Sequence, residues 1–423
     1  MRFFILFILM LLPATLAAEQ GMIEVTAPGN RQPKMVVVTP RSGTANARPE
    51  VAKEISDVIQ FDIAMSGIAS VENREQLPLS GFIPGSATDF GAWASAGFDL
   101  LVLSEYSING DELTVEFRLF DIPGKKMLTA RRFLGRVKEL RRFAHAFDDE
   151  ILLTLTGEKG CFTSRIVYVS TQTGNKEINV MDWDGNGPLP LTRNGSINLN
   201  PDFSPDGREI IYTSYKRNNP DLYRRALSNP AEILLSSRKG LNITGNWSPD
   251  GSKIALALSK DGDAEIYTIA NDGSKPVRLT VSSALELYPA WSPDGTQIAF
   301  VSDRLGKPQI YVMSANGGNV RRLTTSGSYN VNPRWSPKGD RIAYSRLQGG
   351  AFQIFSVGTD GSGDTQLTSE GSNENPTWSP DGRFIAFGSK RGGGDGIYVM
   401  RADGGGQVKV SRGGGSQPAW SRH

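Results

Sequence analysis

The sequence predicts an α/β N-terminal domain followed by an all-β six-bladed beta-propeller, and three observations predict it. A pentapeptide of one aromatic residue and Ser-Pro-Asp-Gly recurs through the C-terminal three-fifths. Each copy sits in a unit of four short apolar runs. Residues 34–157 show no repeat and mix strand-like with helix-like spacing.

The pentapeptide reads Phe203-Ser-Pro-Asp-Gly, Trp247-Ser-Pro-Asp-Gly, Trp291-Ser-Pro-Asp-Gly, Trp335-Ser-Pro-Lys-Gly and Trp378-Ser-Pro-Asp-Gly, with a truncated Trp420-Ser421 at spacings of 44, 44, 44, 43 and 42. After each turn comes an apolar run such as Ile298-Ala-Phe-Val-Ser302, a polar loop, a second run such as Gln309-Ile-Tyr-Val-Met313, and a short strand ending Leu323-Thr324. Four short strands per ~43 residues is the signature of a propeller blade. Pro presets φ, Asp tolerates the bridge region and Gly frees the residue that rejoins the ladder, so the motif closes a hairpin. The aromatic before it is a wedge for packing between blades. The unit at 165–192 lacks its opening strand and residues 418–421 lack everything after theirs. Residues 417–421 are therefore predicted to close the blade begun by 165–170, which removes free sheet edges.

In the first domain, 35–38 reads as a buried strand, 49–65 as a helix, 87–97 as a short helix, and 100–106, 113–120 and 127–133 as strands. Residues 137–155 form the clearest amphipathic helix, with Leu140, Phe143, Ala144, Phe147, Ile151 and Leu155 on one face. Residues 158–164 are expected to be the hinge to the propeller at 165–423. Upstream, a positive start, the apolar run 3–12 and a small-residue exit predict a secretion signal over 1–18, cleaved after Ala17 or Ala18. Ten apolar residues are too few to span a membrane, which needs ~20, so export to a periplasm without membrane insertion is expected. The segment 19–33 holds Pro28, Gly29 and Pro33, yet Met22, Ile23, Glu24 and Val25 alternate as a half-buried strand does, which suits pairing with another chain.

Composition narrows the chemistry. With 46 Lys+Arg against 44 Asp+Glu and a net charge of +2, no single-sign field marks a nucleic-acid binder. His145 and His423 are the two histidines and Cys161 the one cysteine, which excludes a three-histidine metal site and an intrachain disulfide. Asp182-Trp-Asp184-Gly-Asn186-Gly matches half of a calcium loop, but Arg193 stands where a bidentate Glu is needed; a hairpin turn is the expectation. His145, between Phe143 and Phe147, reads as structural. The basic run Arg131, Arg132, Arg136, Lys138, Arg141 and Arg142 reads as a solvated helix face with its approach. A serine hydrolase would need a G-x-S-x-G elbow and a following histidine, and the sequence has neither. No metal or cofactor is expected.

The candidate binding surface lies just before each aromatic strand. Asn198, Asn242, Glu286, Asn330 and Asn373 stand five residues ahead of the aromatic, and Leu199, Ile243, Leu287, Val331 and Glu374 follow them, with Tyr288 beside Leu287. These are expected on loops around the channel mouth, apolar contacts ringed by hydrogen-bonding groups.

The order of a secretion signal, a short extended segment, an α/β domain and six blades ending in Pro418-Ala-Trp-Ser421 resembles the TolB family of periplasmic propeller proteins of the Tol–Pal system, over the whole chain. The resemblance implies a non-catalytic protein, taken to be a monomer, that binds the peptidoglycan-associated lipoprotein Pal at a propeller face. It implies that the N-terminal segment communicates with inner-membrane TolA, that the system maintains outer-membrane integrity and aids constriction at division, and that colicins exploit the same face. The alternative from another class is a periplasmic propeller lyase or hydrolase acting in the channel.

Overall fold

The computed structural model describes residues 31–43, 48–73 and 89–422. The predicted signal and the segment holding Met22, Ile23, Glu24 and Val25 lie outside them.

The N-terminal domain runs β1 (Lys34–Val37), β2 (Arg41–Ser42), α1 (Pro49–Ser66), β3 (Ser70–Asn73), α2 (Phe90–Ser95), β4 (Leu100–Asn109), β5 (Glu112–Asp121), β6 (Lys126–Arg136) and, after one 3-10 turn, α3 (Leu140–Thr156). Pro49 opens α1, where its missing N–H costs nothing, and Gly67 ends it in the left-handed region at φ 72°. The sheet order is β3-β1-β4-β5-β6, with β2 on β4. Its β1 is parallel to both β3 and β4, while β4, β5 and β6 form an antiparallel meander. Two helices cover one face: Ile55, Ile59 and Ile63 of α1 and Phe143, Phe147 and Ile151 of α3 bury against Val115 and Phe117. Trp93 of α2 covers the other face, with Phe98, Leu101 and Ile122.

The remaining chain forms six four-stranded antiparallel sheets in a ring. Their innermost strands are Asn198–Phe203, Asn242–Trp247, Glu286–Trp291, Asn330–Trp335, Ser372–Trp378 and Gly415–Trp420. The last pairs with Arg165–Ser170, Gly415 opposite Ser170 and Trp420 opposite Ile166, so the predicted closure is observed, two residues longer at its start. Ser421 and Arg165 extend the lock, Arg165 N–H donating to Ser421 Oγ at 2.9 Å and Ser421 N–H to the Arg165 carbonyl at 2.8 Å. Gly415 stands where the other five innermost strands have a polar residue, because a Cβ there would lie 3.0 Å from Ile397 Cγ1 and 3.1 Å from Tyr168 Cδ2.

The aromatics wedge between blades as expected. Trp247 buries with Ile211 and Leu222 of the preceding blade, and the indoles of Trp335 and Trp378 each donate across to it, to the Ala290 and Arg334 carbonyls at 3.1 Å. In the Ser-Pro-Asp-Gly turn, the serine has a role the sequence did not reveal. Ser204 Oγ donates to Asp206 Oδ1 at 2.6 Å and accepts from Glu209 N–H at 2.9 Å, while Arg208 N–H donates to the same Asp206 oxygen at 3.1 Å. The pattern repeats at Ser248 and Asp250, Ser292 and Asp294, and Ser379 and Asp381.

The N-terminal domain sits on the turn face of the ring. Trp183 is fully buried among Phe61 of α1, Phe162, Phe384 and Trp420, with ring centroids 5.1 to 6.3 Å away. Arg383, beside the Asp381 turn, donates to Glu158 Oε2 at 2.7 Å. The segment 158–164 is a correction to the expected hinge. Cys161, Phe162 and Ser164 are buried and the Phe162 N–H donates to Asp149 Oδ1 at 2.8 Å, so it is a packed strap. In the basic run, Arg131, Arg132 and Arg136 lie on β6, the approach to the helix, and the one departure is Arg141, which pairs with Glu54 at 3.5 Å and with Asp184 of the propeller.

Candidate docking face and channel

The predicted binding positions lie within the innermost strands and not on loops. Each of these strands carries a β-bulge: its pairing register shifts between Leu199 and Asp202, Ile243 and Asn246, Leu287 and Ala290, Val331 and Arg334, Glu374 and Thr377, and Ser416 and Ala419. The cause is a left-handed residue three places before the aromatic. Asn200, Thr244, Tyr288, Asn332, Asn375 and Gln417 all have φ between 49° and 57°, values seldom adopted by non-glycine residues. A bulge of this kind bends the strand and increases its twist, which turns the six strands into a collar. Pro or Gly follows each of them, and these residues line a shallow depression at the mouth of the channel.

The polar residues at the outer end of five of the strands are inside the protein. Asn198, Asn242, Glu286, Asn330 and Asn373 are fully buried, so their expected place as a hydrogen-bonding rim is corrected. They bind the ring together. Asn330 Nδ2 donates to Gln309 Oε1 of the preceding blade at 2.7 Å, Asn373 Nδ2 to Gln353 Oε1 at 2.9 Å, and Asn198 Nδ2 to Glu177 Oε2 at 3.1 Å. Asn242 accepts from Arg238 N–H at 3.0 Å, and Glu286 accepts from Ser302 Oγ and Arg304 Nη2, each at 2.9 Å. Burial pushes the Glu286 carboxyl up, and those hydrogen bonds oppose the shift.

Among the residues that follow, Leu199, Ile243, Leu287 and Glu374 are half-buried, as is Tyr288, and Val331 is buried. The exposed apolar groups stand one residue ahead of the buried amides: Ile197, Leu285 and Tyr329, at 47, 50 and 38% exposure. Leu305, in the loop after Gln297–Ser302, joins them, since Ser302 pairs with Glu286 at that same end of the blade. Sequence reasoning missed this outer ring; the signal available was the apolar residue directly before the Asn or Glu in four repeats, Ile197, Leu241, Leu285 and Tyr329. The face it rims is opposite the turn face on which the N-terminal domain sits.

Deeper in the bore the lining becomes charged. Asp202 of the first innermost strand meets Arg334 of the fourth, three blades away around the ring, with Arg334 Nη1 3.4 Å from Asp202 Oδ1. Asp202 also accepts from Asn246 Nδ2 at 3.0 Å and Trp247 N–H at 3.1 Å. Burial raises its carboxyl above the usual range, with Arg334 and Arg422 pulling the other way. Arg334 borders both the mouth and a second cavity of about 180 Å³ lined by Trp291, Trp335, Trp378, Trp420 and Arg422.

Residues 153–423 match the family model described as the TolB beta propeller domain, and residues 21–128 that described as the TolB amino-terminal domain. The chain is 55% identical over 211 residues to a Tol-Pal system protein TolB of Geobacter metallireducens, covering 49% of each chain. It is 52% identical over 209 residues to that of Geobacter sulfurreducens, covering 48% of each. The chain thus spans about half the length of the curated relatives it matches. The crystal structure of TolB from Acinetobacter baumannii is similar with a TM-score of 0.80 at 26% identity, over 92% of this chain and 97% of that one.

Proposed function

The chain belongs to the TolB family of Tol-Pal system components, and from that premise we propose that it is a non-catalytic docking protein of the periplasm. Its open propeller face receives the Pal lipoprotein. The observation that carries this reading is the outer apolar ring of Ile197, Leu285, Tyr329 and Leu305 around the collar, on the face that the N-terminal domain leaves free. Exposed apolar groups gathered on one face of a folded protein mark interaction sites, and a few anchors of this kind dominate binding energy. The half-buried Leu199, Ile243, Leu287 and Tyr288 form the inner wall of the same surface; Val331 and the five buried polar residues support it from within. Residues 19–33 form the second site, for TolA, and through these two contacts the protein serves outer-membrane integrity and constriction at division. Colicins that enter through the Tol machinery use the open face. No helix among the described residues is long and apolar enough to cross a membrane.

Titration calorimetry against the Pal domain tests the assignment. Leu285→Asp, at an exposed site, should leave the melting temperature unchanged and weaken binding by about 2 kcal/mol, roughly 30-fold. Wild-type affinity in Leu285→Asp and in Tyr329→Ala together would move Pal elsewhere. Deleting residues 19–33 should abolish TolA binding and alter, without abolishing, affinity for Pal.

A further inference from the structure

A cluster of ionisable side chains lies sealed between the N-terminal domain and the closing blade, remote from the open face. Asp62 of α1 and Asp148 of α3 are fully buried, and His145 of α3 is 2% exposed. His145 Nδ1 lies 2.6 Å from Asp62 Oδ2, and one ligand atom from each of the three falls within 4.8 Å of the others. Both carboxylate oxygens of Asp148 lack a hydrogen-bond donor, as does His145 Nε2 a partner. The group within reach of Asp148 is the Asp62 carboxyl, another acceptor. Two carboxylates facing one another in a dry interior require something positive between them, a shared proton or a cation.

We propose that Asp62, His145 and Asp148 form a binding site for a divalent transition metal of the zinc type. The donors are one imidazole nitrogen and two carboxylates, a set that zinc takes at about 2.0–2.2 Å from each atom. At tetrahedral angles, donors at that distance stand roughly 3.3 Å apart, so the 2.6 Å contact of Asp62 with His145 opens by about 0.7 Å as the metal enters and the shared proton leaves. The surroundings give His145 a carboxylate neighbour and Asp62 a hydrogen-bond donor, the kind of outer support that metal ligands use. With Nδ1 on the metal, His145 keeps its proton on Nε2, which lies 3.7 Å from Asp184 Oδ2. Asp184 is in turn held by Arg141, and the Trp183 indole donates to Asp62 Oδ1 at 3.2 Å. The three ligands come from the N-terminal domain, while Trp183 and Asp184 come from the propeller. Metal binding therefore ties α1 to α3 within the N-terminal domain, with Trp183 and Asp184 of the propeller packed against the ligands. The sequence excludes a three-histidine centre, and carboxylates on two separate helices supply what histidines cannot.

The test uses tag-free protein, stripped by chelator and dialysed. Zinc titrated by calorimetry should bind at one equivalent and raise the melting temperature, and cobalt(II) added instead should give the visible absorption of a tetrahedral nitrogen–oxygen site. Asp148→Asn keeps the shape, and its amide can donate to Asp62 in place of the shared proton. It should fold at least as stably as metal-free wild type, yet bind zinc at least about 100-fold more weakly and lose the thermal shift. Wild-type protein that shows neither stoichiometric zinc nor a thermal shift overturns the proposal and leaves the carboxyl pair to a proton. Asp148→Asn that binds zinc like wild type overturns it by placing the metal elsewhere. The cobalt spectrum of the wild type decides the matter even where the variant does not fold.

Discussion

The turn face and the open face of the ring are built from the two ends of the same strands, yet one is covered by the N-terminal domain and the other carries exposed Ile197, Leu285 and Tyr329. At both ends the residues that recur most faithfully are engaged in the ring's own hydrogen bonds. The turn serines and aspartates bond to one another and to their own backbone, and the amides at the outer end of three of the innermost strands reach the preceding blade. What differs between repeats is what reaches solvent or another domain. Trp183 and Asp184 exist in one blade and meet the N-terminal domain; the outer ring is Ile, Leu, Leu and Tyr in four blades and Ser372 in the fifth. In this ring the repeat makes the scaffold, and departures from it make the surfaces.

Opening the ring should produce the largest effect. Truncation before Gly415 removes the strand that pairs with Arg165–Ser170 and exposes an edge beside the Trp183 cluster. Loss of a single cooperative melting transition, or a fall in melting temperature of about 10 °C or more, is expected; an unchanged melt would break the closure account. Trp183→Ala comes next, because it empties the centre of the interdomain core and deprives Asp62 of a donor. Its expected cost is about 3–5 kcal/mol in denaturant unfolding.

The sharpest form of the comparison uses adjacent residues. Asn330→Ala cuts the bond to Gln309 and leaves Arg346 Nε without the Asn330 Oδ1 acceptor it has at 2.9 Å, which should cost about 1–3 kcal/mol. Tyr329→Ala, one residue away and exposed, should change stability by no more than about 0.5 kcal/mol while weakening Pal binding. If both variants behaved alike in unfolding, the separation of scaffold from surface would fail at the position where it is drawn most finely.

The ring was legible because its signal is repeated: five copies of a turn motif and a truncated sixth specify blade number, wedge aromatics and closure together. The N-terminal helices and the β4 to β6 meander were legible from apolar periodicity, whereas β2 and β3 are too short to show any. The docking positions were misplaced for a definite reason. A one-residue bulge decides whether Asn198 or Ile197 faces solvent, and the left-handed residue that makes it is Asn, Thr, Tyr or Gln in different blades, so no residue type announces it. The cluster of Asp62, His145, Asp148 and Asp184 was invisible because only His145 and Asp148 share a helix face, three residues apart on α3, while Asp62 on α1 and Asp184 in a propeller turn reach them across the fold. His145, read as structural from its neighbours Phe143 and Phe147, is buried on that helix face, but the carboxylates it meets there were not foreseen.

The smallest expected effect separates the turns from the bore by the sign of a pH dependence. In the turn at Asp250, the Ser248 hydroxyl first, then the Ser252 N–H and hydroxyl, hold the carboxyl down at about 2. Its folded-state value is therefore below the unfolded one of about 3.9, so its contribution is present above that value and is lost as pH falls through about 2. In the bore, burial holds the Asp202 carboxyl above the usual range. The folded state then retains a proton that the unfolded state has released, and stability attributable to Asp202 declines as pH rises above the unfolded value. Unfolding of Asp250→Asn and Asp202→Asn measured from pH 2 to pH 6 should show opposite trends. The wild-type advantage over Asp250→Asn should grow with pH, by well under 1 kcal/mol because the group is exposed, and the advantage over Asp202→Asn should shrink. Parallel trends in the two variants would mean that Arg334 and Arg422 outweigh burial at Asp202, and that the bore is a stabilised ion pair instead of a desolvated acid.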